Sequence, residues 1–125
     1  MNPDARAGCF IGGQIVVADW RVDARMKEPN KLRPGIVVED DSLFAPEFTN
    51  VILVPLSRDA KLVVPDLTLA ILPTPENGCP EPCWAISYLV MSTAKDRLRP
   101  TPSCITNDQL AAIRRQIALA VGVRG

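Results

Sequence analysis

Histidine is absent from this chain of 125 residues. Its absence excludes histidine general bases, histidine metal ligands and a simple charge switch near neutral pH. The formal net charge is also zero, because 14 basic residues balance 14 acidic ones. Overall charge therefore gives no indication of nucleic-acid binding. Any catalysis must depend on Arg, Lys, Glu, Asp, Ser, Tyr or Cys.

Long apolar runs are missing as well, although hydrophobic residues make up 47% of the chain. A membrane-spanning helix needs about 20 consecutive apolar residues, and no charged-then-apolar signal sequence is recognisable. We therefore expect a cytoplasmic protein without a membrane segment. The length is typical of one domain with a single core. We predict that this domain spans residues 1–125 and that its first part, residues 1–12, is a flexible lead-in.

The four cysteines are Cys9, Cys79, Cys83 and Cys104. Cys79 and Cys83 form a C-x3-C pair in "CPEPC", and four thiolates could in principle hold a zinc ion. The spacing is loose for such a site, which favours reduced, partly buried thiols of the kind found in cytosolic proteins. We predict no metal and no cofactor.

Five segments have the composition of β-strands, since they are rich in β-branched residues and are bounded by loop signals. They are residues 13–20, 35–40, 50–57, 66–72 and 84–92. Residues 21–33 lack any apolar period and are predicted to form a long loop. Five short strands with loops between them favour a small barrel over a parallel sheet with crossover helices.

Two of these strands carry more detailed predictions. Pro55 cannot donate a backbone hydrogen bond, so the end of strand 50–57 is expected to be an edge or a bulge. Alternation in strand 84–92 is expected to place Trp84, Ile86, Tyr88 and Val90 on one face.

The C-terminal segment changes from a strand period to a helix period. Thr106 and Gln109 have the spacing of a capping box, and Gly122 supplies a stop. Between them, apolar residues recur at helical intervals: Leu110, Ile113, Ile117 and Val121. The sequence therefore predicts one amphipathic helix over residues 106–122, and the fold class is mainly β with a C-terminal helix.

Charge is distributed unevenly despite its zero sum. Residues 21–33 are mainly basic, and residues 39–47 contain acidic but no basic side chains. A basic loop creates a local positive face that a polyanion could use even on a neutral protein.

Three short motifs follow one another in a recognisable order. Glu28 precedes Arg33-Pro34 and an apolar strand, a later strand ends at Ser57, and the pair Arg97-Leu98 precedes the helix. Together with the matching elements, these motifs resemble the PemK/MazF family of bacterial toxin–antitoxin toxins. The resemblance extends over residues 13–122.

The resemblance implies an SH3-like barrel with a C-terminal helix, assembled as a homodimer. It also implies a metal-independent, sequence-selective endoribonuclease that cleaves single-stranded mRNA by attack of the 2′-OH, leaving a 2′,3′-cyclic phosphate and a 5′-OH end. The implied protein partner is a cognate antitoxin whose tail covers the RNA groove.

The catalytic residues implied by the resemblance are Arg33, Ser57 and Glu28. A guanidinium presents a planar fork that matches two phosphate oxygens, and Pro34 biases Arg33 toward an extended backbone. Ser57 could donate a hydroxyl hydrogen bond to the phosphate. Glu28 could accept the proton of the 2′-OH or could hold Arg33 by an ion pair, and the sequence leaves both roles open.

Five further basic residues near these positions are predicted to contact backbone phosphates without reading bases: Lys27, Lys31, Arg25, Arg58 and Lys61.

The chain also departs from the family pattern. Some members carry an Arg-x-Asp pair on the late strand, where this chain has Ile86 and Tyr88, and Met91 replaces a basic residue. Two alternatives therefore stay open. One is a member that binds RNA or antitoxin with weak or no cleavage, and the other is a non-enzymatic toxin resembling the gyrase-binding CcdB type. The tail "AVGVRG" lacks the ending expected for the CcdB type.

Overall fold

The computed structural model describes residues 10–19 and 32–124. Within these ranges the chain forms seven β-strands, several short 3-10 turns and one α-helix. The strands and the helix are β1 (Gln14–Asp19), β2 (Leu32–Val37), β3 (Asn50–Ser57), β4 (Leu69–Ile71), β5 (Cys83–Ala85), β6 (Met91–Ala94), β7 (Leu98–Cys104) and α1 (Asn107–Ala120).

The strands form one antiparallel sheet in the order β4-β5-β3-β2-β1-β7, and β6 pairs with β3 beside β5. This arrangement confirms the predicted class, mainly β with a C-terminal helix. Among the described strands, β4 and β7 at the two ends of the order are not paired with each other, so hydrogen bonding does not close the sheet into a ring.

The sheet has one hydrophobic cluster on each face. Ile36, Val54 and Leu56 belong to the cluster that packs against α1, where Leu110 and Ile113 are buried. The alternate strand residues form the second cluster on the opposite face: Val16, Ala18, Val37, Val51, Leu53 and Leu98, joined by Phe10. The helix therefore covers one face of the sheet and leaves the other to the strands and their loops.

Pro55 lies in the middle of the sheet, so the expected edge at this end of β3 is wrong. The carbonyl of Pro55 accepts a hydrogen bond from Ile86 N at 3.0 Å, so its missing N–H faces the same neighbour. That neighbour changes here, since β6 pairs with β3 up to Leu53 and β5 pairs with it from Leu56. The proline therefore occupies the gap between two partner strands, where no donor is needed.

The predicted strand 84–92 is wrong, because this segment contains the break between β5 and β6. Its first residues belong to β5, Ser87–Leu89 form a 3-10 turn, and Met91 begins β6. The buried Ser87 hydroxyl donates to Gln116 Oε1 of α1 at 2.6 Å. This hydrogen bond fixes the turn to the helix, and the expected alternation stops where β5 ends, at Ala85.

Strand β7 is absent from the sequence predictions, and it contains Pro100 and Pro102. Among the described strands, β7 pairs only with β1, and prolines are tolerated on an edge where the side lacking the N–H faces outward. A register shift between Gln14 and Val16 interrupts this pairing. There the Thr101 hydroxyl donates to the carbonyl of Ile15 at 2.5 Å.

Helix α1 is confirmed, including its predicted start. The Thr106 side chain accepts from Gln109 N at 3.0 Å, and the Gln109 side chain accepts from Thr106 N at 2.9 Å, which completes the capping box. Gly122, just past the helix, adopts a positive φ of 92°, as a glycine stop requires.

Two predicted boundaries shift. Phe10 and Gly12, predicted to belong to the flexible lead-in, are part of the fold, because Phe10 is buried in the second cluster and Gly12 N donates to Asp41 Oδ1 at 2.9 Å. Residues 1–9 of the predicted lead-in lie outside the described residues. Leu32 and Arg33, predicted to close the long loop over residues 21–33, belong to β2; the rest of that predicted loop lies outside the described residues. The part of the chain that the structure describes contains no helix long and apolar enough to span a membrane.

Candidate functional site

Arg33 lies near the start of β2, where the strand has a partner on only one side. It is opposite Ala18 of β1, and its side chain is exposed. The buried part of β2 begins two residues later, at Gly35. The basic side chain therefore stands at the point where a buried strand emerges from the sheet.

The register of β2 and β3 brings Arg33 toward Ser57. The paired residues are Gly35 with Pro55, Ile36 with Val54 and Val37 with Leu53. Continuing the same register by two residues places Ser57 opposite Arg33. Both residues then belong to the face away from α1, because side chains alternate along a strand. Two of the three predicted catalytic residues thus lie on the same face and at the same end of the sheet.

Pro34 explains why the two strands stop pairing before they reach this point. Val38 N donates to Ile52 O of β3 at 3.0 Å, so every second residue of β2, including Pro34, directs its backbone toward β3. Pro34 has no N–H to donate there. The β2–β3 ladder accordingly ends at Gly35 and Pro55, and the ends that carry Arg33 and Ser57 are not joined by backbone pairing.

The hydroxyl of Ser57 is held as an acceptor. Asp59 N donates to Ser57 Oγ at 3.0 Å, which is the geometry of a turn closed by a serine side chain. No residue in the described ranges 10–19 and 32–124 accepts the hydroxyl hydrogen of Ser57. The hydroxyl therefore keeps a hydrogen that it can donate to a ligand.

The loop after Ser57 is ordered by its own hydrogen bonds. Asp59 caps a 3-10 turn over Ala60–Leu62 by accepting from Lys61 N at 2.9 Å. The Tyr88 hydroxyl then donates to the carbonyl of Leu62 at 2.8 Å. The loop that follows Ser57 is consequently held in place by hydrogen bonds at its start and at its end.

Arg58 and Lys61, predicted to contact phosphates, lie on this loop and are both exposed. Arg58 forms an ion pair with Glu81, and both side chains are more than half exposed. An exposed ion pair is weak, so a phosphate can compete with Glu81 for the guanidinium. Within the described residues, Arg33 by contrast forms no ion pair.

Trp84 is a site residue that the sequence reasoning missed. It pairs with Ser57 across the β3–β5 ladder, so it lies on the same face as Ser57 and Arg33. Its side chain is half-buried, unlike Cys83 and Ala85 beside it, which belong to the cluster under α1. A half-buried aromatic ring on a face that also carries an exposed arginine is typical of a surface on which bases stack. Only the cross-strand register distinguishes this tryptophan from a core residue.

The positions where some relatives carry an Arg-x-Asp pair have structural roles here. Ile86 is fully buried, and the hydroxyl of Tyr88 is bonded to Leu62 O. Neither side chain offers a charge to a substrate.

The remaining predicted site residues are Glu28, Lys27, Lys31 and Arg25, and they lie outside the described residues. Cys9, one of the four candidate zinc ligands, lies outside them too. Among residues 10–19 and 32–124, no three His, Cys, Asp or Glu side chains are grouped so that they could hold a metal ion.

Several solved structures share this fold. An endoribonuclease in complex with its cognate antitoxin from Mycobacterial species matches 93% of this chain and 98% of its own, at 16% identity and a TM-score of 0.71. The Mycobacterium tuberculosis toxin MazF-mt6 matches 90% of this chain and 99% of its own, at 18% identity and a TM-score of 0.68. A MazE-MazF structure from Deinococcus radiodurans matches 92% and 98%, at 16% identity and a TM-score of 0.70.

These identities are low, so the structural matches establish the fold alone. No curated protein sequence matches the chain significantly. The sequence itself matches one family model over residues 12–121, nearly its full length. By that match, this chain belongs to the family of PemK-like, MazF-like toxins of type II toxin–antitoxin systems.

Proposed function

We propose that this chain is a toxin that cleaves single-stranded mRNA without a metal ion, by attack of the RNA's own 2′-OH on the adjacent phosphate. The products are a 2′,3′-cyclic phosphate and a 5′-OH end. The observation that supports the proposal is the register of β2 and β3, which puts Arg33 and Ser57 at the same end of the sheet, on the face away from α1. A cation and a hydroxyl donor side by side suit a phosphate whose oxygens gain charge in the transition state.

In this mechanism Arg33 binds the scissile phosphate. Its guanidinium stays charged at any useful pH and can donate to two phosphate oxygens at once. Its exposure and the absence of an ion pair within the described residues favour this role, because no carboxylate there has to be displaced first.

Ser57 donates a hydrogen bond from its hydroxyl to a non-bridging oxygen of the same phosphate, and the departing 5′ oxygen takes its proton from solvent water. The hydrogen bond from Asp59 N orients the hydroxyl, so little conformational freedom is lost when RNA binds. The proton of the 2′-OH needs a separate acceptor, and Glu28 is our candidate for it, with an ion pair to Arg33 as its alternative role.

Trp84 stacks on a base next to the cleaved bond. Base–aromatic stacking contributes to binding whatever the base, so Trp84 strengthens the grip on single-stranded RNA, while sequence selection depends on other contacts. Lys27, Lys31, Arg25, Arg58 and Lys61 add phosphate contacts around it.

Two partners complete the proposal. The first is a cognate antitoxin, supported by the family and by the similar endoribonuclease that was solved in complex with its antitoxin. The second is another copy of this chain, which we expect to form a homodimer with a shared RNA groove. Light scattering should give twice the mass of one chain, and a monomer that cleaves at full rate would contradict the shared groove.

The decisive experiment incubates the purified protein with a long single-stranded RNA in EDTA. Cleavage with cyclic-phosphate ends is the expected result. Ser57→Ala should lower the rate strongly, whereas Ser57→Thr should retain it, because threonine keeps the hydroxyl. Binding without cleavage would instead identify a weakened member of the family, in line with the structural roles of Ile86 and Tyr88. Activity that returns only with added divalent metal would rule out the proposed mechanism.

A further inference from the structure

Cys79 and Cys83 form a close thiol pair behind the candidate site. Their sulfur atoms are 3.9 Å apart, and the Cys83 thiol donates to the sulfur of Cys79. Both side chains pack in the hydrophobic cluster between the sheet and α1. Cys83 is buried, Cys79 is half-buried, and both are free.

The backbone around this pair is held in place independently of the sulfurs. The buried Asn77 side chain accepts from Cys79 N at 2.9 Å and from Thr74 N at 3.0 Å, and it donates to Leu72 O at 2.8 Å. Cys83 belongs to β5, where it pairs with Ile71 of β4. Both cysteines are thus attached to the same β4 end, so their proximity follows from the fold and needs no cross-link.

We propose that Cys79 and Cys83 are a redox-modification site, a dithiol that a peroxide oxidises reversibly to a disulfide. The Cys79 sulfur attacks one peroxide oxygen and breaks the O–O bond, which gives a sulfenic acid on Cys79 and one water. The Cys83 sulfur then attacks the Cys79 sulfur, the S–O bond breaks and a second water leaves. The two sulfurs lose two electrons in total and the peroxide gains them.

The order of these steps follows from the environments of the two thiols. Cys79 is the more accessible sulfur and accepts the hydrogen bond, so it reacts first. Burial, with smaller contributions from the charge and hydrogen bond of Cys79, raises the pKa of Cys83 to about 12, and the Arg58 guanidinium offsets only part of this. Cys83 therefore stays protonated and protected from direct oxidation until Cys79 offers it a sulfenic acid.

The disulfide would close a small ring through Pro80, Glu81 and Pro82. Glu81 is the ion-pair partner of Arg58, which directly follows Ser57. The modification would therefore act on the loop whose Glu81 pairs with Arg58 at the candidate site. The side chains of the site itself contain no thiol. The inference does not depend on the proposed RNA cleavage.

Trypsin gives a direct test, because residues 62–95 contain no internal Lys or Arg and carry both cysteines and no other. After treatment of the folded protein with hydrogen peroxide, free thiols are blocked and the protein is digested without reductant. We expect peptide 62–95 to lose two hydrogens, and dithiothreitol to restore them. Cys104, which is exposed and lies on the separate peptide 98–114, is the internal control.

Single variants separate the two roles. Cys83→Ser should leave the sulfenic acid of Cys79 without a partner, so that dimedone labels Cys79 in place of disulfide formation. Cys79→Ser should leave Cys83 unmodified at the same dose. Two free thiols in peptide 62–95 of the unaltered protein, after Cys104 has already been oxidised, would overturn the proposal. So would a Cys79 that proceeds to the sulfinic acid while Cys83 stays free.

Discussion

The two faces of the sheet are built from the same strands but serve different purposes. Toward α1, β2 directs Ile36, and β3 directs Val54 and Leu56, into a closed hydrophobic cluster. Toward the other side, the same two strands direct Val37 and Leu53 into the second cluster, and Arg33 and Ser57 lie beyond that cluster at the end of the sheet. The period of two along each strand divides its apolar residues between two clusters, and on the side away from α1 the candidate chemistry is confined to the strand ends.

The difference between the faces depends on where backbone pairing stops. Pro34 ends the ladder between β2 and β3, and Pro55 marks the change of partner from β6 to β5. On the covered face neither interruption matters, because packing continues across it. On the open face these interruptions leave strand ends that carry polar side chains. Variants on the two faces should therefore have separable effects.

The largest effect is expected from Ile113→Ala on the covered face. Ile113 of α1 is fully buried, and such a truncation typically lowers the free energy of unfolding by about 2–5 kcal/mol through lost burial and a cavity. Urea unfolding followed by circular dichroism measures this loss. Arg115→Ala, an exposed position on the same helix, is the control and should change stability by less than about 0.5 kcal/mol.

Arg33→Ala tests the open face in the opposite sense. We expect RNA cleavage to slow by a factor of at least about 100, corresponding to roughly 3 kcal/mol for one electrostatic donor in a transition state. Stability should change little, because the side chain is exposed. Arg33→Lys should rescue only part of the rate, since an ammonium cannot bridge two oxygens. Full cleavage by Arg33→Ala at equal protein concentration would place the site elsewhere.

Trp84→Ala should weaken RNA binding by about 1–3 kcal/mol, the range for one stacked base. Trp84→Phe should keep most of the affinity, because it preserves an aromatic face. Fluorescence anisotropy with a labelled single-stranded RNA measures both variants. If Phe and Ala weaken binding equally while unfolding is unchanged, stacking is not the function of this residue.

The smallest effect should come from Thr106→Ala at the start of α1. Loss of the capping side chain should cost about 1 kcal/mol of stability, and Thr106→Ser should retain most of it. Cleavage of RNA by the folded fraction should stay the same, because α1 covers the face opposite the site. A change in cleavage with no change in stability would break the separation of the two faces.

Helix α1 and strand β3 could be predicted from the sequence because their signals are local. A capping box, a helical period and a run of β-branched residues each lie within one element. Strand β7 and the turn at Ser87–Leu89 could not, since Pro100 is acceptable only on an edge and Ser87 turns because of Gln116, which is far away in the chain.

The candidate site shows the same division between local and distant information. The resemblance to a toxin family identified Arg33 and Ser57 as candidates. Their position at the same end of the sheet follows from the register of β2 and β3, which the spacing of residues in the sequence does not reveal. Trp84 read as a member of an alternating strand, and its half-open position depends on Ser57 across the ladder. The pairing between strands determined the positions of these side chains, which local sequence propensity does not specify.

The pairing of β1 with β7 also has a consequence for the time at which the protein is complete. β1 gains β7 as its outer neighbour only after residues 98–104 have been synthesised. The carbonyl of Gly13 then accepts a hydrogen bond from Ile105 N at 2.9 Å. At a synthesis rate of about 5–20 residues per second, β1 waits for several seconds with one side unpaired. Contacts this distant in sequence also form slowly. Completion of the sheet, and of the face that carries the candidate site, is therefore deferred until β7 and Ile105 have been synthesised.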